Sequence, residues 1–303
     1  MGKQLESYNG AVLFVDILGF GALTNNLIKL TDKDFEAWTD GTEEQKNNQF
    51  LAANLLVAFR EILQLLEHEF ADVKIAQLSD CFFAWSRSIE KIVLFTHKYM
   101  HMAIERGILC RGGMAYGEII ETERIHHLGR LILGKAVTTA VGLEKPAKGM
   151  RILFDTELHA ALHNENKKFM NCVSELFCLF ENPLDYKVYD EFKWYGVKDL
   201  SMISEHGIHN CSADLKIGFA KDRLKLVNRL VYHPRFGWNS RSGEGMVHLQ
   251  ATNNFISQDG LYDVKHEFER VGFSDSRSVS KVTSADVRIE NDKYVVLLRK
   301  REQ

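Results

Sequence analysis

The stretch from Ala11 to Gly21 limits the rest of the chain more than any other. Ala11-Val12-Leu13-Phe14-Val15 is an apolar run with two β-branched residues, closed by Asp16 and followed by Gly19 and Gly21. Such a run reads as a short buried strand. A carboxylate at a strand end offers hard oxygen to a metal ion, and a neighbouring glycine turn lets backbone N–H groups approach a phosphate. A plainer reading is equally open at this point, in which Asp16 ends the strand and caps the next helix.

The chain around it alternates strand and helix patterns. Asn48 to Phe70 places Leu51, Leu55, Phe59, Ile62 and Leu66 at three- and four-residue steps, which predicts a long amphipathic helix. Phe50, near its start, is expected to pack in the core rather than face a base pocket. Val73 to Trp85 reads as a tight hairpin with Ser79-Asp80 at its tip. Ile89 to Arg106 reads as a second helix capped by Gly107, and Ile108 to Ile120 as a long strand. Leu131 to Glu144 starts as strand and turns to helix after Gly134. Met150 to Phe154 and Tyr186 to Tyr189 are further strands, and Asp155 to His163 is a short helix. The order predicts an α+β fold, a sheet with helices on one face.

A boundary is expected near Lys193, dividing residues 1–193 from a C-terminal extension, 194–303. Within the extension, Leu215 to Leu230 reads as a helix whose basic residues form a solvated face. Gly237 to Gly245 reads as loop, and Val247-His248-Leu249 and Tyr294 to Leu298 as strands.

Composition narrows the partners. A formal net charge of −3 argues against a broad nucleic-acid or anionic-membrane surface. No apolar run reaches the roughly 18 residues of a membrane span. The 5 cysteines are scattered without zinc-site spacing, so reduced thiols and a cytoplasmic location are expected.

Asp16 and Asp80 each end an apolar strand of one sheet. If those strands are neighbours, the carboxylates converge at one edge. Carboxylates shared between two divalent ions are suited to phosphoryl chemistry, in which metals and positioning supply most of the catalysis.

Four motifs resemble those of the class III nucleotide cyclases. Phe14-Val15-Asp16-Ile17-Leu18-Gly19-Phe20 matches the first strand of that family, and Asp80 in its hairpin matches the second metal aspartate, with Ser79 in place of a glycine. Arg111-Gly112-Gly113-Met114-Ala115-Tyr116-Gly117 matches the fourth strand, and Gly134 to Glu144 follows the spacing of a later helix. The resemblance spans roughly residues 8 to 192. It implies a ferredoxin-like cyclase sheet. It also implies two divalent cations (Mn2+ or Mg2+) on Asp16, Asp80 and the Ile17 carbonyl, and triphosphate binding along Leu18 to Gly21. Phe14, Phe20 and Arg111 are the other nucleotide-binding positions it implies. The reaction would be attack of a ribose 3′-hydroxyl on the α-phosphate, at two sites formed by a homodimer.

Departures from the family pattern bear on the base. The transition-state Asn and Arg of the family fall at Thr138 and Gly142, and Arg130 or Lys135 stands nearby as a replacement cation. The purine-reading pair falls at Ala76 and Leu131, which cannot hydrogen-bond a purine edge. These features resemble the pyrimidine cyclases of bacterial antiphage defence. That branch implies cyclic UMP or cyclic CMP made from UTP or CTP, acting on a separate effector. Two other readings stay open, a purine cyclase with unusual base contacts and a non-catalytic nucleotide-binding domain. His126-His127 is expected to lie in a dimerisation arm.

Overall fold

The computed structural model describes residues 5–39, 42–122, 130–146 and 148–258. Strand β1 (Leu5–Ile17) runs through the middle of one 8-stranded sheet. Every residue from Gly10 to Val15 is buried, as expected of a strand covered on both faces. It pairs antiparallel with β3 (Cys81–Ser86) on one side and β4 (Cys110–Thr122) on the other. The tight hairpin is present, with β2 (Lys74–Leu78) antiparallel to β3.

Helix α1 (Phe20–Thr24) follows β1, and α2 (Asp32–Trp38) adds a short turn before α3 (Asn48–Glu69). Helix α4 (Ile89–Arg106) links β3 to β4 and ends at Gly107, whose φ of 78° is the expected left-handed cap. The sequence β1–α3–β2–β3–α4–β4 with spatial order β2-β3-β1-β4 is the split-βαβ, ferredoxin-like arrangement. Strand β5 (Ile132–Leu133) pairs with β4, and β6 (Ile152–Phe154) joins β4 in parallel. The hairpin β7 (Phe177–Glu181) and β8 (Val188–Phe192) closes that edge.

The main core lies between the sheet and α3, α4 and α6 (Thr156–Glu165). Helix α3 has the length and hydropathy to cross a membrane. Its Leu51, Leu55, Phe59, Ile62 and Leu66 are instead buried against the sheet and α4. Phe50 is 46% exposed, so the expectation that it packs in the core is not met.

A second, smaller core sits on the opposite sheet face, where α5 (Lys135–Glu144) lays Ala136 and Ala140 on Val12, Phe14 and Ala115. Gly113 is what lets α5 lie so close, since a Cβ there would meet the Ala140 carbonyl oxygen at 2.3 Å. The motif glycine of β4 is thus a packing device that fixes where α5 ends. Helix α7 (Lys167–Val173) completes this half of the chain.

Beyond Lys193 the chain packs back onto what precedes it. Trp194 is fully buried and donates to the Met150 carbonyl at 2.9 Å. Helix α8 (Ala213–Tyr232) is present where a helix was expected, but Lys216 and Arg223 are buried at 5% and 8% exposure, so its basic residues are not simply a solvated face. Pro234–Arg241 is 3-10 helix rather than loop, and Val247-His248-Leu249 lies within α9 (Gly243–Gln258), not in a strand. Alternation over three residues did not distinguish strand from helix there. Tyr294 to Leu298 and His126-His127 fall outside the described residues.

Candidate active site

Asp16 sits at the end of β1, directly opposite Cys81 of β3 and Arg111 of β4. Side chains in such register point to one face of the sheet. The β2–β3 turn docks onto the same strand end, because the Ile17 N–H donates to the Asp80 carbonyl at 3.0 Å. Asp80 is thereby held beside Asp16, as its strand-end position suggested. Ser79, at the tip, has φ 58°, a left-handed conformation that a side chain disfavours. Ser79→Gly is therefore expected to raise stability by about 0.5 kcal/mol, the relief of the turn outweighing the looser unfolded chain. Urea unfolding of the two proteins checks this, with the denaturant slope unchanged.

The fourth member of the group, Glu144, is the last residue of α5. Its carboxylate is 6% exposed and pairs with the Arg111 Nε. The structure therefore brings Asp80 and Glu144 near enough to Asp16 for their charges to act on it, with the Arg111 guanidinium paired to Glu144 and also acting on Asp16. The Asp16 carboxyl is pushed up to about 7, first by burial, then by the charges of Glu144 and Asp80, with Arg111 and an Ile17 backbone bond offsetting part of the rise. The Cys81 thiol is pushed up to about 11, first by burial and then by the same three carboxylates. Behind Arg111, the His248 imidazole of α9 is pushed down to about 4, first by burial and then by the Arg111 charge.

The excess of negative charge fits a divalent cation, and the donors are hard carboxylate oxygens of the kind such ions prefer. Among the described residues, no group of three or more His, Cys, Asp or Glu side chains is itself arranged as a metal cage. Asp16 and Asp80 would thus need substrate oxygens or water to complete a shell.

The glycine turn adjoins the cluster. Gly19 has φ 82°, which favours glycine, and its carbonyl accepts from Leu23 N at 3.1 Å. The Leu18 N–H is already donated to the Leu109 carbonyl at 2.9 Å. The amides of Phe20, Gly21 and Ala22 lie in the first turn of α1, where no intrahelical acceptor is available. The Phe20 side chain belongs to the main core. Phe14 is 9% exposed and packs on Phe83, with ring centroids 4.8 Å apart.

Other candidate residues sit elsewhere. Lys135 opens α5, bonds Glu157 at 3.0 Å and lies about 14 Å along the helix from Glu144. Thr138 and Gly142 lie on the exposed side of α5, and a Cβ at Gly142 would meet nothing within 4 Å. Ala76 is half-buried on β2 and packs with Phe14 and Phe83, whereas Leu131 is 49% exposed. A cleft of about 860 Å3 between α4 and α8 contains none of the four charged residues.

In the sequence Glu144 stands out only as the end of a spacing. Its role depends on how closely α5 approaches β4, which Gly113 decides.

No protein family matches the chain in a family scan, and no curated protein matches it. Several solved structures do. The guanylyl cyclase Cya2 is 10% identical, with a TM-score of 0.44 over 63% of this chain and 93% of that one. The monomeric guanylyl cyclase domain of the RhoGC fusion protein from the aquatic fungus Blastocladiella emersonii is 16% identical, with a TM-score of 0.40 over 62% of this chain and 98% of that one. The adenylyl cyclase CyaB from P. aeruginosa is 14% identical, with a TM-score of 0.39 over 62% and 96%.

Proposed function

We propose that this chain is a nucleotide cyclase acting on a pyrimidine nucleoside triphosphate, UTP or CTP. It would form the 3′,5′-cyclic monophosphate and pyrophosphate. The observation that carries the reading is the convergence of Asp16 and Asp80 at the end of β1 beside the Gly19 turn, within a full match to the Phe14–Phe20 motif.

Asp16, Asp80 and the Ile17 carbonyl would hold two divalent cations, Mn2+ or Mg2+. Bound there, such ions supply Lewis-acid neutralisation of the phosphates. The chain's own residues do the positioning. The backbone of the Leu18–Gly21 turn would carry the β- and γ-phosphates, through the amides from Gly19 onward, since that of Leu18 is already bonded. Arg111 holds Glu144 and, on that face, partly offsets the acidic cluster toward the incoming triphosphate. Phe14 and Phe83, with Ala76, give an apolar floor on the same face. The ribose 3′-hydroxyl would give its proton to solvent as its oxygen bonds the α-phosphorus, while the bond to the α,β-bridging oxygen breaks and pyrophosphate leaves with that electron pair.

A pyrimidine is favoured because Ala76 and Leu131 offer no hydrogen bond to a purine edge. A homodimer with two equivalent sites is the matching assembly, with the open side of α5 at Thr138 and Gly142 free to face a second copy. On this reading the product would act as a signal to a separate effector, as the resemblance to the antiphage branch implies.

A non-catalytic nucleotide-binding domain is separated from this reading by pyrophosphate release. With Mn2+ and UTP or CTP, the wild-type chain is expected to release pyrophosphate over many turnovers, and Asp80→Ala is not. Binding of triphosphate without release in the wild type would exclude the enzyme reading.

A further inference from the structure

The C-terminal extension reaches the glycine turn directly. A Cβ on Gly19 would lie 3.4 Å from Trp238 Cζ3 and 3.5 Å from Cη2, so the outer edge of the indole closes the space behind the turn. Trp238 is 1% exposed and sits in the 3-10 segment Pro234–Arg241, some two hundred residues from Gly19 in the chain.

That segment is fastened to the elements flanking the turn. Trp38 Nε1 donates to the Arg235 carbonyl at 2.9 Å, and Arg235 Nε donates to the Ala37 carbonyl at 3.1 Å. The Arg235 guanidinium stacks 4.5 Å over the Trp38 ring and also donates to the Arg106 carbonyl at 3.2 Å. Arg241 Nε donates to Asp34 at 3.1 Å, and Asp34 is the residue whose carboxylate caps α2 through Thr31 N. Helix α9 makes a second attachment on the other flank of the site. His248 Nδ1 accepts from Gly149 N and Thr252 Oγ1 from Met150 N, both at 3.0 Å. The next residue, Arg151, accepts from Gly112 N through its carbonyl at 3.0 Å, immediately beside Arg111.

We infer that the extension forms the back wall of the active site, and that Trp238 is a positioning residue holding the Gly19 turn in the orientation that presents its amides to the triphosphate. This rests on the cyclase reading for the ligand, but not for the contact itself. A turn held at φ 82° by a glycine has no side chain of its own to resist rotation. The flat indole supplies that resistance from a remote part of the chain. The extension would thereby govern the site without contributing a reacting group.

The test uses the full chain in three forms, wild type, Trp238→Ala and Trp238→Phe. Two quantities are read, hydrogen exchange of the amides of residues 18–23, and KM and kcat for the triphosphate with Mn2+. Trp238→Ala is expected to speed exchange at residues 18–23 selectively and to raise KM about tenfold with a smaller change in kcat. Trp238→Phe, which keeps an aromatic edge, is expected to restore most of both. If Trp238→Ala does not fold, Trp238→Leu carries the same readouts, since it fills volume without a flat ring. Unchanged exchange at residues 18–23 overturns the inference whatever the activity. A lower melting temperature with unchanged KM in an active enzyme also overturns it, leaving Trp238 a core residue only. Should the wild type form no product, faster exchange in the alanine variant would uphold the contact while the cyclase reading fails.

Discussion

Asp16→Ala and Asp80→Ala are each expected to lower product formation by about three orders of magnitude, because loss of a metal carboxylate forfeits several kcal/mol of charge stabilisation, and each 1.36 kcal/mol is tenfold in rate. Neither change should unfold the protein. At Asp16, removing the charge should even stabilise the fold. Its folded carboxyl titrates at about 7, against 3.8 in the unfolded chain, so folding favours the protonated form. Stability is then greatest at low pH for this group and declines as pH rises between those two values, with the full penalty present above 7. Asp16→Asn removes the penalty. At pH 8 without added metal it should be more stable than wild type by about 1–2 kcal/mol, a figure reduced from the full shift because the side chain is only half-buried. Mn2+ should raise the wild-type melting temperature at pH 8 and leave that of Asp16→Asn nearly unmoved. An Asp16→Asn protein that is less stable than wild type at pH 8 would contradict the acidic cluster as described.

The second large effect falls on Arg111. Its side chain is 16% exposed and that of its partner Glu144 only 6%. Arg111→Ala leaves Glu144 buried beside Asp16 and Asp80 with no cation, and is expected to cost about 3–5 kcal/mol. Arg111→Lys keeps the charge but not the planar fork, so an intermediate loss is expected. The double change Arg111→Met with Glu144→Leu should recover most of the stability, because neither partner is then left charged and alone. Chemical denaturation of the four proteins measures all of this. A loss under about 1 kcal/mol in Arg111→Ala would mean that the pair is solvated and the cluster is open to water.

Most of the sheet was legible because its elements carry a local period, although β7 (Phe177–Glu181) was not anticipated. The continuous apolar run of β1, the three-and-four steps of α3 and the short polar break at Ser79-Asp80 all act within a few residues. The meeting of Asp16 with Asp80 was legible only on the condition that neighbouring strands bring them together; Asp80 lies in the β2–β3 turn, and it is β3 that pairs antiparallel with β1. Glu144 was not, because its place depends on Gly113 admitting α5 against β4, a contact between distant segments. The buried Lys216 and Arg223 of α8 were misread for a related reason, since a charge run says nothing about which helix face is covered. Trp238 shows the limit most clearly. Its edge meets Gly19 only through the anchoring of Arg235 and Arg241 to α2, and no spacing in the sequence encodes that.

Product identification tests the central claim most directly. The purified chain is incubated with ATP, GTP, CTP and UTP in turn, each with Mn2+, and the products are identified by mass spectrometry. A 3′,5′-cyclic monophosphate from UTP or CTP, absent with Asp16→Ala, is the predicted result. A cyclic purine would keep the metal site and discard the pyrimidine reading. No cyclic product from any of the four, with the folded chain binding triphosphate, would contradict the account.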